Sequence, residues 1–243
     1  MSVDVRNNYN PSGDVGVEYA VTNAKGVTHI LLGTCHYVDA ETLRNLCLDR
    51  ILKCSELFTE TGTLAPLNHM DGCFPGVIKY TIPYPHCVDD FLTIMAGWRK
   101  IPITSLDAQV PEMQDMIARV NAQCQKLGAV VYGNAKAYQR YKRQKFRSLS
   151  DRLVGRPAIY AYKKRNTVFC DGIRSSKGFK NTQSQRREDK WCEILIPKLL
   201  ESDKSIGIAV GMLHVCGKNS LSERFAKAGM KVELITPKRR SRL

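Results

Sequence analysis

Two continuous apolar segments of the chain each end in the pattern Gly-x-x-His, and this recurrence constrains the fold more than any other feature. THILLG leads from Gly33 to His36, and SIGIAVG leads from Gly211 to His214. Apolar runs of this length that contain β-branched residues are typical of strands covered on both faces in a largely parallel sheet. Functional side chains in such sheets gather at the carboxyl ends of the strands. We therefore predict that the two histidines converge at one sheet edge, although each motif alone would also suit a loop or core histidine.

Shorter apolar runs and one periodic segment complete the predicted architecture. Residues 55–59, 101–106 and 231–235 are predicted to add strands to the sheet. The clearest helix is predicted from Pro111 to about Leu127, where apolar residues recur on one stripe and a proline occupies the first turn. A further helix, capped by Asp39 or Thr42, is predicted to carry Leu43, Leu46 and Ile51. Strands that alternate with helices indicate an α/β fold with a central, mostly parallel sheet.

Length and composition favour one domain with insertions. The chain has 243 residues, 43% of them hydrophobic, which suffices for one sizeable core. We predict a single α/β domain over residues 1–243, with a Pro- and Gly-rich insertion at about 62–87 and a basic helical insertion at about 133–153. Residues 237–243 form a basic tail. A long irregular insertion such as 62–87 often covers a site.

The chain is predicted to fold as a soluble protein in a reducing, cytosol-like compartment. It contains no run of about 18 apolar residues that could span a bilayer, and its N-terminus lacks the charged-then-apolar pattern of a cleaved signal peptide. Its nine cysteines are scattered and include no CxxC pair. A disulfide framework or a zinc knuckle is therefore a poor explanation for them.

The charge of the chain is strongly positive and unevenly distributed. Its formal net charge is +14, and the segment KAYQRYKRQKFR, residues 136–147, contains six basic and no acidic residues. Such a surface attracts polyanions. Aromatic residues among the cations, such as Tyr138 and Tyr141, would suit base stacking in RNA. A solvated basic face without a partner is the alternative interpretation.

Polar residues that follow the other predicted strands are candidates for the same edge. Glu60 ends the run SELFTE, and Asp107 follows ITSL, although Asp107 could instead cap a helix. In RPAIYAYKKRNTVFCDGI, a helical reading places Asn166 on the apolar stripe, and a buried amide needs hydrogen-bond partners. Arg165 lies beside it. A guanidinium next to two carboxylates would hold them ionised and in position.

These motifs resemble the TraB/GumN/Tiki superfamily and its ChaN-like and erythromycin-esterase-like relatives. The resemblance extends from about residue 17 to 236 and is strongest at the C-terminal end. The segments that carry it are HILLGTCH, LFTETG, SLDAQVPEMQ, KKRNTVFCDGI and VGMLHVCGKNSLSERFAKAGMKVELI. It implies a central mixed sheet wrapped by helices, with histidine, glutamate, aspartate, arginine and asparagine side chains in one cleft.

The resemblance also implies candidate activities. Superfamily members are described as metal-dependent peptidases, as hydrolytic esterases or as proteins without a known substrate. The predicted catalytic residues are accordingly His36, Glu60, Asp107, Arg165, Asn166 and His214. A small basic member of this kind also looks like bacterial effectors that are secreted into host cells and trigger cell death.

Two chemistries would activate water in such a cleft. His36, Glu60 and His214 suit a divalent transition metal such as Mn, Co or Zn, which lowers the pKa of bound water. Asp107 would then orient a ligand or act as base, while Arg165 and Asn166 would bind an oxyanion or hold the carboxylates. Without a metal, as the erythromycin-esterase-like relatives suggest, one histidine would be a general base oriented by Glu60.

Two further interpretations stay open. Cys35 paired with His214 would supply a nucleophile, whereas Cys35 and His36 are adjacent in sequence and point to opposite faces of an extended segment. A different class of function is a non-catalytic binding module or effector whose basic surface engages nucleic acid, a host protein or another anionic partner. Substitutions in the cleft would then matter less than neutralising the basic segment.

Overall fold

The computed structural model describes residues 16–35, 42, 45–60, 88–110, 162, 167–174 and 183–235. These residues contain one six-stranded sheet with the strand order β4-β3-β5-β2-β1-β6. The strands are β1 (Val17–Thr22), β2 (Thr28–Thr34), β3 (Glu56–Thr59), β4 (Ile103–Ser105), β5 (Ile206–Gly211) and β6 (Lys231–Leu234). The described helices are α1 (Val88–Trp98), α2 (Thr167–Arg174), α3 (Gln183–Glu201), α4 (Met212–Val215) and α5 (Leu221–Lys227).

The sheet is mixed and mostly parallel, which confirms the predicted α/β fold class. β2 pairs with β5, β5 with β3, and β3 with β4, all in parallel. β1 is antiparallel to both β2 and β6. The β1–β2 hairpin was not predicted from the sequence. The Asn23 carboxamide oxygen accepts hydrogen bonds from the backbone N–H groups of Lys25 and Val27 and so closes its turn.

Apolar side chains of the central strands pack on both faces of the sheet. Ile30 and Leu32 of β2 belong to one core cluster, together with Leu92 of α1. The intervening Leu31 belongs to the other, together with Leu195 of α3. Successive residues of a strand point to opposite faces. Helices on both sides therefore explain why β2 reads as a continuous apolar run rather than as an alternating one.

The helix predicted to carry Leu43, Leu46 and Ile51 is wrong where the structure describes this segment. Leu46 and Cys47 take part in isolated β-bridges, and a short 3-10 helix follows at Ile51–Lys53. Leu46 and Leu48 are both fully buried, with the partly exposed Cys47 between them. Burial of every second residue is the period of an extended segment, and the apolar spacing of Leu43, Leu46 and Ile51 does not by itself distinguish this from a helix.

Several other predictions fall partly or wholly outside the described residues. They concern the helix from Pro111, the insertions at 62–87 and 133–153, and the tail at 237–243. The single-domain organisation of residues 1–243 also stays a prediction. Among the helices that the structure describes, none combines the length and the apolar character needed to cross a membrane.

A buried histidine connects the start of β2 with β5 and with the C-terminal part of α3. The backbone N–H of Ile206 donates to Nδ1 of His29 at 3.2 Å, so Nε2 carries the proton and donates to the carbonyl of Leu199 at 3.0 Å. Leu199 lies two residues after Pro197, which interrupts the hydrogen bonding of α3. Only the neutral imidazole satisfies both contacts, and burial lowers the pKa of His29.

Acidification is expected to destabilise the protein through His29. The pKa of His29 is lowered in the folded state. The contribution of His29 to the free energy of unfolding is therefore complete above the ordinary pKa of 6.5, and it is lost as the pH falls through the folded-state pKa. We expect the free energy of unfolding in urea to decrease between pH 7 and pH 5, and to decrease less in His29→Gln. Equal slopes in the two proteins would contradict this assignment.

Candidate functional site

Two buried carboxylates lie side by side where β3 and β4 end. The backbone N–H of Glu60 donates to the carbonyl of Ala209 at 3.1 Å, and the N–H of Asp107 donates to the carbonyl of Glu60 at 3.1 Å. These bonds continue the parallel pairing one residue beyond the end of β3 and two residues beyond the end of β4. Glu60 is 4% exposed and Asp107 is 1% exposed. Two nearly solvent-free acids at one sheet edge need counter-charges.

The second Gly-x-x-His motif brings an imidazole to the same edge. Gly211 ends β5, and His214 lies in the single turn of α4 that begins at the next residue. Gly33 makes this arrangement possible, because a Cβ atom there would come 3.1 Å from the Cα atom of Met212. The absence of a side chain at the end of β2 therefore lets α4 pack directly over the sheet edge.

A guanidinium from α3 bridges the two carboxylates. Nη2 of Arg187 donates to Oε1 of Glu60 at 2.7 Å and to Oδ2 of Asp107 at 2.6 Å, while Nε donates to Oδ1 of Asp107 at 3.1 Å. The backbone N–H of Gly211 donates to the other Glu60 oxygen at 2.9 Å. Burial raises the pKa of Asp107, and Arg187 opposes that rise. The bridge thus holds both acids in fixed positions.

The residue after Arg187 determines the proton position on His214. Oε1 of Glu188 lies 2.8 Å from Nδ1 of His214, and Arg174 of α2 donates to both Glu188 oxygens at 2.6 and 2.8 Å. Burial opposes ionisation, but the hydrogen bonds from Arg174 and His214 lower the pKa of Glu188 overall. An ionised carboxylate only accepts hydrogen bonds, so Nδ1 carries the proton. In the neutral imidazole the lone pair is on Nε2, which lies 3.9 Å from Oε1 of Glu60.

Trp191 joins the carboxylate pair to the histidine. Its ring packs against the His214 ring in a T-shaped arrangement, with centroids 5.1 Å apart. Its Nε1–H donates to Oδ1 of Asp107 at 3.2 Å, and the Arg187 guanidinium lies 4.7 Å from its ring centroid. Arg187, Glu188 and Trp191 thus come from two turns of one helix.

The structure brings together three of the six predicted site residues: Glu60, Asp107 and His214. His36, Arg165 and Asn166 lie outside the described residues, so their positions stay predictions. The guanidinium beside the carboxylates is that of Arg187, a residue that was not predicted, whereas Arg165 was predicted in this role. A usable signal was present in α3, where Glu188 shares a helical stripe with Trp191, Leu195 and Leu199.

Comparison with known families identifies the chain. Residues 87–234, more than half of its length, match the TraB/PrgY/gumN family. The chain belongs to the TraB/PrgY/gumN family. The matched region contains Asp107, Glu188 and His214, and it confirms the superfamily resemblance seen in the sequence. No curated protein and no solved structure matches the chain.

The predicted metal site of this TraB/PrgY/gumN protein is only partly contained in the described residues. Nε2 of His214 and Oε1 of Glu60 suit two ligand positions by chemical type, and the predicted third ligand, His36, lies outside. Within the described ranges, no group of three histidine, cysteine, aspartate or glutamate side chains is arranged to hold a metal ion. A cation at Glu60 would also share that carboxylate with the Arg187 guanidinium, 2.7 Å from Oε1.

The bridge in this TraB/PrgY/gumN protein is expected to require arginine rather than any cation. Arg187→Lys retains the charge but loses the planar fork that spans Glu60 and Asp107, so we expect a loss of about 2 kcal/mol in the free energy of unfolding. Arg99→Lys is the matched control. Arg99 is exposed, makes one 3.3 Å hydrogen bond to the carbonyl of Leu52, and should cost less than about 0.5 kcal/mol. Urea unfolding at pH 7 measures both, and equal losses would contradict the bridging role.

Proposed function

We propose that the protein is a hydrolase in which His214 activates a water molecule. The observation that carries the proposal is the hydrogen bond between Glu188 and Nδ1 of His214, which leaves the lone pair on Nε2. Among the residues that the structure describes, Nε2 has no hydrogen-bond partner, and Oε1 of Glu60 lies 3.9 Å from it. General-base catalysis by histidine requires a lone pair on one ring nitrogen and an orienting group, such as a carboxylate, at the N–H of the other.

Each neighbour orients His214 or balances the charge that forms on it. When Nε2 takes a proton from water, the imidazole becomes a cation, and the Glu188 carboxylate at Nδ1 balances that charge. Arg174 keeps Glu188 ionised, and Arg187 fixes Glu60. Arg187 is already engaged by two carboxylates, so the developing oxyanion of a substrate would need another donor. Arg165 and Asn166 remain the candidates for that role.

A metal-assisted version uses the same residues. His36, Glu60 and His214 would hold the ion, and Glu188 would orient the ligating imidazole as an outer-shell carboxylate. The ion would supply Lewis acidity that lowers the pKa of bound water from 15.7 towards about 7. The His214–Glu188 pair serves both versions, so a test must separate the metal requirement from the histidine requirement.

Hydrolysis assays on the purified protein test the proposal. We expect cleavage within a panel of p-nitrophenyl esters and fluorogenic peptides, measured with 1,10-phenanthroline or with added Mn²⁺, Co²⁺ or Zn²⁺. Activity that survives the chelator supports His214 as general base, and activity that returns only with metal supports the assisted version. No turnover under any of these conditions, or turnover unaffected by loss of His214, would overturn the proposal.

Delivery into a host cell, action there as an effector and binding of an anionic partner stay predictions from the sequence. The basic segment 136–147 lies outside the described residues. A comparison of cell death caused by a His214 variant and by a variant with Arg140, Lys142 and Arg143 neutralised would separate a catalytic effector from a binding module.

A further inference from the structure

The indole of Trp191 makes three different contacts inside the cluster of carboxylates and histidine. Trp191 is 0% exposed, and its ring plane is inclined by 68° to the His214 ring, with the centroids 5.1 Å apart. Its Nε1–H donates to Oδ1 of Asp107 at 3.2 Å. The guanidinium carbon of Arg187 lies 4.7 Å from the indole centroid. One rigid side chain therefore contacts the histidine, a carboxylate and the guanidinium that bridges both carboxylates.

The contact with Trp191 supplies a restraint on His214 that Glu188 does not. Oε1 of Glu188 lies 2.8 Å from Nδ1, and one hydrogen bond to one ring atom does not fix the tilt of the imidazole. The Trp191 ring packs against the imidazole in a T-shaped arrangement and restricts that tilt. It thereby fixes the direction of the Nε2 lone pair. Proton transfer from water requires this direction to be aligned with the reacting atoms.

The N–H group of the same indole restrains the opposite side of the site. Nε1–H of Trp191 and Nε–H of Arg187 both donate to Oδ1 of Asp107, at 3.2 and 3.1 Å. Nη2 of the guanidinium continues to Oε1 of Glu60 at 2.7 Å, and that oxygen lies 3.9 Å from Nε2 of His214. The indole is thus connected to both sides of the gap between Nε2 and Oε1.

We infer, on the basis of the proposed role of His214 in activating water, that Trp191 is a positioning residue that holds the imidazole and Asp107 at a fixed spacing. The buried indole acts through His214 and touches no reacting atom. Its two contacts can be separated by substitution, because phenylalanine keeps an aromatic ring without the donor and leucine keeps neither. In Trp191→Phe, Oδ1 of Asp107 still accepts from Nε–H of Arg187.

NMR of the His214 side chain tests the positioning without any turnover. Nδ1–H of His214 is buried against Glu188, so we expect a downfield proton resonance that exchanges slowly with water and is absent in His214→Gln. This signal should persist in Trp191→Phe. It should broaden or disappear in Trp191→Leu, because the imidazole loses its packing against an aromatic ring. Trp98→Leu is the matched control: it removes the other tryptophan of the chain, which is 54% exposed, and should leave the signal unchanged.

Hydrolysis rates per folded molecule give the second measurement. We expect Trp191→Leu to lower kcat about 10-fold or more while KM changes less than about threefold, since misaligned reacting groups slow the chemical step. Trp191→Phe should restore kcat to within about fivefold of the wild type. A purely structural role would reduce the folded fraction, which the NMR intensities measure, and would leave kcat per folded molecule unchanged.

A Trp191→Leu protein that keeps either the His214 signal or the wild-type kcat overturns the inference. An indole N–H of Trp191 that exchanges with D₂O as fast as that of Trp98 in the wild type also overturns it, and this measurement stands even where a variant does not fold. If the wild type shows no turnover, the hydrolase proposal fails, and the His214 signal alone decides whether Trp191 positions the ring.

Discussion

Replacing His214 with glutamine is expected to lower kcat/KM for hydrolysis by about 10²- to 10⁴-fold, the usual contribution of a general base. Glutamine retains an N–H group that can donate to Glu188, so the buried carboxylate keeps a partner. It supplies no atom that accepts a proton near neutral pH. We therefore expect a large catalytic loss with little change in folding, measured as initial rates and as Tm on the same preparation.

His29→Gln is the matched control for this experiment. It also removes a buried imidazole, but one that connects β2, β5 and α3 rather than the carboxylate cluster. Its rate at pH 8 should stay within about twofold of the wild-type rate, because His29 is neutral there. Equal rate losses in the two variants would mean that His214 acts through the fold and not through proton transfer.

Replacing Glu188 with alanine is expected to cause the largest stability loss, about 3–5 kcal/mol in the free energy of unfolding at pH 7. The Arg174 and Glu188 side chains are both 0% exposed, so truncation leaves a guanidinium buried without its counter-ion. Glu193→Ala on the same helix is the control. Its carboxylate is 64% exposed and pairs with Lys190, so its removal should change stability little.

The pH dependence of the Glu188 effect follows from its lowered pKa. The contribution of the Glu188 carboxylate to the free energy of unfolding is complete above the ordinary pKa of 4.5, and it is lost as the pH falls through the folded-state pKa. The difference in stability between the wild type and Glu188→Gln should therefore shrink as the pH falls below about 4.5. The urea-unfolding difference at pH 7 and pH 3.5 measures this, and a constant difference would contradict an ionised Glu188.

The parts of the fold that the sequence predicts well are those that one segment determines by itself. β2 and β5 are confirmed because burial on both faces requires an uninterrupted apolar run. Glu60, Asp107 and His214 are predictable because each follows an apolar strand, and parallel strands end at one edge of the sheet. The convergence of these residues can thus be predicted from the local apolar pattern of each strand and from the rule that parallel strands end at the same edge of the sheet.

The contribution of α3 could not be predicted in the same way. Its first turns are polar and charged, which is also the pattern of a solvated helix. Only tertiary contacts reveal that Arg187 meets two acids and that Glu188 meets a buried arginine and an imidazole. The spacing of residues in the sequence does not indicate these pairings, because the four partners come from four separate parts of the chain. The guanidinium was therefore assigned to Arg165, which stands in a recognisable motif.

The interruption of α3 at Pro197 affects how local unfolding would extend along this helix. Proline gives no N–H to the carbonyl one turn earlier, so the hydrogen-bonded ladder has a gap between the His29 contact at Leu199 and the ionic residues near Glu188. The two contacts are about 16 Å apart along the axis. Fraying that began at the C-terminal end of α3 in acid would therefore meet this gap before it reached Arg187 and Glu188, and the carboxylate cluster would keep its support from the N-terminal half of the helix.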